Sequence, residues 1–285
     1  IRIFGEQCRV ENDQVIVRKP KEISSGSVQN PSDPDAGYDA HKGQGYQTQL
    51  LESYKTAEDR KGIDGNKPDM ILYAETESAD KHDSNALEQA VKEIYKRGLY
   101  CDVLLTDAAY GGTRNVEFAQ EYGARLVAPI YGTKSEGNND SFEFDRKTYE
   151  VTACPAGKKP DKIKHYNELS ITVTWYEATC SNCSFSEECP TKKCPKGRSY
   201  HYEKKSIKCH FRREYENTDA FREEYSYRSG IEATNSRFIS MTYARLSRYR
   251  GLTMMIFSQK LKALGINMFR ITKYNKDGDI FGYLI

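Results

Sequence analysis

Apolar residues recur with two different periods along the first 130 positions. Val15-Ile16-Val17 is a short strand. Gly45 to Tyr54 and Met70 to Glu75 read as two longer ones. His82-Asp83-Ser84 then caps a helix, because short polar side chains accept from the orphan N–H groups of a first turn. Within it Leu87, Ala90, Val91, Ile94 and Tyr95 fall on one face, and Gly98 ends it. Val103-Leu104-Leu105-Thr106 is a continuous apolar run of the kind a buried central strand needs, and it delivers Asp107 at its C-terminal end. Thr113 to Tyr122 is periodic as a helix and stops at Gly123, and Leu126 to Ile130 reads as another buried strand. Strands alternating with amphipathic helices predict an α/β core, a sheet covered by helices.

The pattern changes after residue 130. Residues 131–220 are rich in Gly, Asn, Lys and Cys and carry alternating stretches such as Ile171-Thr172-Val173-Thr174-Trp175. This segment is expected to be a Cys-rich insertion with short strands of its own. Arg228 to Arg245 then reads as helical and Leu252 to Tyr274 as a long, mostly buried helix. The expected division is therefore 1–130, the first part of the core; 131–220, the insertion; and 221–285, its helical C-terminal part.

Composition narrows the class. A chain of 285 residues with 38% hydrophobic and 29% charged positions reads as soluble and globular, with no signal peptide. Its longest apolar runs, such as Leu252 to Phe257, fall far short of a membrane span. It opens with Ile1 rather than Met and is read as a fragment. The net charge of +2 does not by itself call for nucleic acid. The distribution says more: nine Lys or Arg against one Glu from Lys192 to Arg213, and a second cluster of Arg237, Arg245, Arg248 and Arg250. Such patches bind phosphates while the whole remains near neutral.

Three acids stand out as candidate chemistry. Phosphodiester cleavage needs charge on the nonbridging oxygens neutralised and an attacking oxygen activated. Two divalent ions on a few carboxylates do both. Asp107 follows a buried strand directly, at the rim where α/β folds bind ligands; the plainer reading is a helix-capping Asp. Glu232 lies one helical turn after Arg228, which on spacing alone is an ordinary i,i+4 pair. For a first acid, Asp33 and Asp35 both qualify, in a turn-rich Ser32-Asp33-Pro34-Asp35.

With these residues in view, the chain resembles the DDE transposases of bacterial insertion sequences. The likeness rests on Asn30 to Tyr46 (NPSDPDAGYDAHKGQGY), Leu104 to Gly112 (LLTDAAYGG) and Tyr225 to Gly251. It implies an RNase H-like mixed sheet flanked by helices, and a triad of Asp33, Asp107 and Glu232 holding Mg²⁺ or Mn²⁺. The spacing of Tyr225, Arg228 and Glu232 fits the family's Y-x2-R-x3-E signature, which implies that Tyr225 and Arg228 position transposon-end DNA. The signature's later Lys is replaced by Ile239, leaving Arg237 or Arg245 to take its phosphate contact. The likeness further implies double-stranded DNA as partner, a homodimer on DNA, no membrane, a bacterial cytoplasmic location and a missing N-terminal DNA-binding region. Two other readings stay open: a truncated or decayed remnant that binds DNA without catalysis, and a stand-alone nuclease.

Four of the eight cysteines fall within fifteen residues, Cys180-x2-Cys183-x5-Cys189-x4-Cys194, close to the spacing of a structural zinc site. Cys154 or His201 could replace one ligand.

Overall fold

A computed structural model describes residues 1–130 and 138–277, so the expected boundary at residue 131 lies outside the described residues. The fold is mixed α/β. It divides into two compact units: residues 1–105, 118–126 and 226–285 form one, and 106–117 with 127–225 the other. The loop that begins at Asp107 therefore goes with the Cys-rich stretch.

The first unit opens with α1 (Arg2–Gln7) and a hairpin of β1 (Cys8–Glu11) and β2 (Gln14–Val17). An antiparallel sheet follows, of β3 (Gly37–Asp39), β4 (Gly43–Glu52) and β5 (Ile71–Ser78), with β4 in the middle. α2 (Ala86–Lys96) comes next. It ends in a Schellman turn: Gly98 at φ +73 donates to Tyr95 O and Leu99 to Ile94 O. β6 (Val103–Leu105), α3 (Thr113–Glu121) and β7 (Arg125–Val127) come next in the chain, with residues 113–117 and Val127 counted in the second unit. β6 and β7 pair with each other, Arg125 N donating to Asp102 O and Thr106 N to Val127 O.

A bulge decides how β5 is used. The register slips between Leu51 and Glu52, so Leu51 faces Tyr73 but Glu52 faces Ile71. The extra residue turns Ile71 to the opposite side of the sheet from Tyr73. Tyr73 packs with Ala90 and Ile94 of α2. Ile71 packs with Phe238, Ala263 and Ile266, which lie on α7 (Ser229–Thr242) and α8 (Leu252–Asp277) once the chain has returned to this unit. The side-chain amide of Asn267 accepts from Ile71 N at 2.9 Å and donates to Ile71 O at 2.8 Å, satisfying the backbone beside the bulge.

One buried ion pair joins the same elements. Arg270 of α8 donates to Glu52 Oε2 at 3.0 Å and to Asp69 O at 2.7 Å, with the two side chains 12% and 7% exposed. Thr234 of α7 donates to the same Glu52 oxygen at 2.6 Å. Burial still pushes the Glu52 carboxyl above its ordinary range, with Thr234 and Arg270 pulling the other way.

The long helix departs from expectation. It buries Met255, Ala263 and Ile266 but leaves Met254, Phe257, Leu261, Leu264 and Met268 exposed. Apolar residues on every side of α8 read as burial, yet only one stripe faces the sheet.

The second unit contains a short β8 (Glu143–Phe144)/β9 (Val151–Ala153) pair and a four-stranded antiparallel sheet. Its strands are β10 (Lys162–His165), β11 (Ser170–Tyr176), β12 (Lys192–Cys194) and β13 (Gly197–Glu203), in the order β10-β11-β13-β12, with α4 (Glu177–Cys180) after β11. α5 (Lys204–Glu216) and α6 (Asp219–Ser226) follow. The alternation read in 171–175 is observed: Ile171, Val173 and Trp175 point into a core with Phe142, Tyr202 and Ile207. Phe142 stacks on Tyr200 with ring centroids 4.2 Å apart.

Replacing Arg270 with Met strands the Glu52 carboxylate in the interior. The variant is expected to lose about 3–5 kcal/mol of stability, read as a lower urea midpoint. Glu52→Gln in the same chain should return part of that loss. An unchanged midpoint for Arg270→Met would show that the pair carries no such weight.

Candidate functional site

Both candidates for a first acid are placed at the N-terminus of α8. Asp33 is buried, and its Oδ1 accepts from Gly251 N at 3.0 Å and from the Tyr46 hydroxyl at 2.5 Å. Asp35 Oδ2 accepts from Leu252 N at 2.9 Å. Helix starts leave N–H groups without intrahelical partners and carry partial positive charge. Two carboxylates from a turn far away in sequence answer both. Burial, then the Asp33 carboxylate beside it, raises the Tyr46 phenol well above its usual value, so it stays a donor.

Asp107 is exposed at the end of β6, where the apolar run predicted it. Its Oδ1 accepts from Ala108 N at 2.6 Å, the capping role of the plainer reading. The loop beyond it is tightly held. Gly111 is required for space: a Cβ there would lie 2.4 Å from Pro129 O. Asn115, also buried, donates to Tyr110 O at 3.0 Å. Arg212 of α5 donates to Gly111 O at 2.8 Å, and burial pulls its guanidinium below the ordinary arginine range. Sequence reading counted Arg212 only as one charge of a basic run. The signal that it does more is the face it shares with Lys208 and Glu216, four residues either side. Lys208 pairs with Glu117 at 2.8 Å, and Glu216 accepts from Ile130 N at 3.3 Å.

Glu232 sits in the first turn of α7, where a negative charge suits the helix dipole. It pairs with Arg228 at 2.5 Å, with the two side chains 61% and 22% exposed. Tyr225 stacks on Phe221 at 5.3 Å in α6. α6 ends at Ser226 and α7 begins at Ser229, so Tyr225 lies on a different helix from Glu232. Arg237, Arg245, Arg248 and Arg250 are all exposed, and none makes a salt bridge among the described residues.

The cysteines are reduced. Cys154, Cys180, Cys183 and Cys189 line one cavity, and Cys194 is not among its lining residues. His201 is on the other face of β13, its Nδ1 2.8 Å from Thr172 Oγ1. Burial, then neighbouring Cys183 and Cys189, raises the Cys180 thiol. Among the described residues, no three His, Cys, Asp or Glu side chains stand gathered to hold a metal ion. Asp33 and Glu232 belong to the first unit and Asp107 to the second. Each acid offers the hard oxygens a divalent cation prefers.

A family model described as a transposase DDE domain matches residues 153–272. This stretch is similar to that family. The match covers less than half of the chain. The matched stretch encloses the Cys-rich segment, the Glu232 segment and all four exposed arginines, while Asp33 and Asp107 lie outside it. The searches of curated proteins and of solved structures returned no match. No helix among the described residues is long and apolar enough to cross a membrane.

Asp33→Asn keeps an acceptor for Gly251 and Tyr46, whereas Asp33→Ala removes it from a buried site. Asp33→Ala is expected to cost about 1–3 kcal/mol and Asp33→Asn clearly less, measured by thermal or urea unfolding. Equal losses would mean that capping is not what Asp33 contributes to the fold.

Proposed function

We propose that the chain acts on DNA as a metal-dependent transposase with an RNase H-like core. It would cleave phosphodiesters at transposon ends and join the freed 3′-hydroxyl to target DNA. The observation that carries this is the DDE match over 153–272, which contains Tyr225, Arg228 and Glu232 at the family spacing.

The chain's own residues support the reading in three ways. Asp107 and Glu232 are exposed carboxylates, one at the end of a strand and one in the first turn of a helix. Arg228 holds Glu232 in place by a direct ion pair. Arg237, Arg245, Arg248 and Arg250 present charge to solvent in one stretch, suited to phosphates. A divalent cation on these acids would neutralise charge on the nonbridging oxygens and activate the attacking one. Asp33 is the first acid of the proposed triad on the likeness alone, because its carboxylate also caps α8. Tyr225 and Arg228 are proposed to position the transposon end.

Asp107→Asn retains the oxygen that caps Ala108 while removing the charge. Glu232→Gln loses an exposed pair that contributes little to stability. Each is expected to lower metal-dependent nicking of transposon-end DNA by on the order of 100-fold or more, with folding intact by circular dichroism. Nicking that persists in both variants would refute the assignment. DNA binding without nicking by the unaltered chain would favour the remnant reading, and nicking without joined products the nuclease reading.

The arginines make a separate expectation. Arg248→Ala and Arg250→Ala should each weaken DNA binding uniformly across sequences. Each should reduce the slope of log K against log salt by about 1. Titrations at several salt concentrations check this, and an unchanged slope would remove these residues from the interface.

A further inference from the structure

We infer that Cys154, Cys180, Cys183 and Cys189 together bind one structural zinc ion, with Cys194 outside the set. The inference concerns how the second unit is held together and does not depend on the catalytic reading.

Three separate stretches carry these thiols to one cavity, which Trp175 and Arg198 also line. Cys154 opens a tight turn after β9: Gly157, at φ +73, donates to Cys154 O at 2.7 Å, and Cys154 N donates to Lys158 O at 3.0 Å. Two side-chain bonds fix where this turn lies. The Trp175 indole donates to Lys158 O at 3.0 Å, and the Lys158 ammonium reaches back to Thr179 O, one residue before Cys180. The turn bearing Cys154 is thereby tied to the end of α4, which bears Cys180. Cys183 N donates to Cys180 O at 3.1 Å, the tight turn that lets a C-x2-C pair present both sulfurs to one point. Cys189 lines the same cavity from the loop before β12.

Cys194 and His201 are placed otherwise. Cys194 is paired opposite Gly197 at the end of β12, and His201 lies on the face of β13 opposite Tyr200 and Tyr202, occupied with Thr172.

The chemistry selects zinc. Four thiolates at the corners of a tetrahedron about 2.3 Å from the ion form a closed structural site, leaving no position for a reacting water. The thiols line the cavity without being drawn to ligating distance. Neutral thiols gain little by meeting and thiolates repel one another, so convergence belongs to the ion-bound form, and binding releases the thiol protons. The four thiolates and the ion would carry a net negative charge, and the Arg198 guanidinium on the cavity wall offsets part of it.

The experiment uses the full chain. After purification under reducing conditions, zinc is measured by mass spectrometry of the metal. The cysteines are then alkylated with and without prior chelation and mapped by peptide. We expect about one zinc per chain, and protection of Cys154, Cys180, Cys183 and Cys189 that chelation removes. Cys194 should be labelled equally in both samples. Cys194→Ser should keep its zinc and Cys154→Ser should lose it. The alkylation pattern of the unaltered chain decides the matter even if Cys154→Ser fails to fold. Absence of zinc from a reduced, folded chain supplied with it would overturn the inference. So would protection of Cys194 in place of Cys154.

Discussion

The ion pair between Glu52 and Arg270 sets the arrangement of the first unit. Glu52 is the last residue of β4 and lies opposite the bulge, so its side chain enters the layer between the sheet and the two C-terminal helices. A carboxylate there is costly unless its charge is answered. Arg270 answers it from α8 and Thr234 from α7, so one buried oxygen fixes both helices against one strand. Asn267, one turn before Arg270, satisfies the backbone that the bulge frees. The bulge, the ion pair and the amide clamp are parts of one solution. A helix from the last quarter of the chain is locked to strands from the first.

The same helix explains the fate of the acids in the turn at 32–35. An isolated α8 would begin with uncapped N–H groups and a partial positive charge. Asp33 and Asp35 supply the oxygens, and Tyr46 holds Asp33 from β4. Both of these bonds to Asp33 run to Oδ1. The burial of Asp33 follows from the helix terminus without any ion. For Asp107 and Glu232 the plain structural reasons also hold, a cap on Ala108 and an i,i+4 pair. The proposed chemistry would draw on side chains the architecture already uses, and a stability measurement on a charge-preserving or shape-preserving variant separates the two roles.

Elements with a clean period were legible in the sequence. Leu87, Ala90, Val91 and Ile94 place one face of α2 in the core, and Ile171, Val173 and Trp175 alternate into the second core. The capping reading of Asp107 and the pairing of Arg228 with Glu232 were legible too, because both depend on residues within four positions. What was not legible depends on distance along the chain. The reach from Asp33 to Gly251 spans 218 positions, and no periodicity announces it. The interruption between α6 and α7 falls inside a motif whose spacing reads as continuous helix. The exposed side of α8 is as apolar as the buried side, so burial could not be assigned from composition. Arg212 was hidden among neighbours of the same charge, although it reaches Gly111 O in the loop after Asp107.

The cysteines carry the same lesson into the second unit. Spacing groups Cys194 with its neighbours, since it is five residues from Cys189 and Cys154 is twenty-six from Cys180. Strand pairing separates what spacing joins: Cys194 is committed to the edge strand β12, while the loop before it turns Cys189 inward. The turn at Cys154 becomes a neighbour only through Trp175 and Lys158, two side chains with no metal chemistry of their own. A ligand set is fixed by the hydrogen bonds that place its backbone turns. Here those bonds run between the end of β9 and the end of α4, so the set they define reaches from Cys154 to Cys189 and is not confined to one Cys-rich loop.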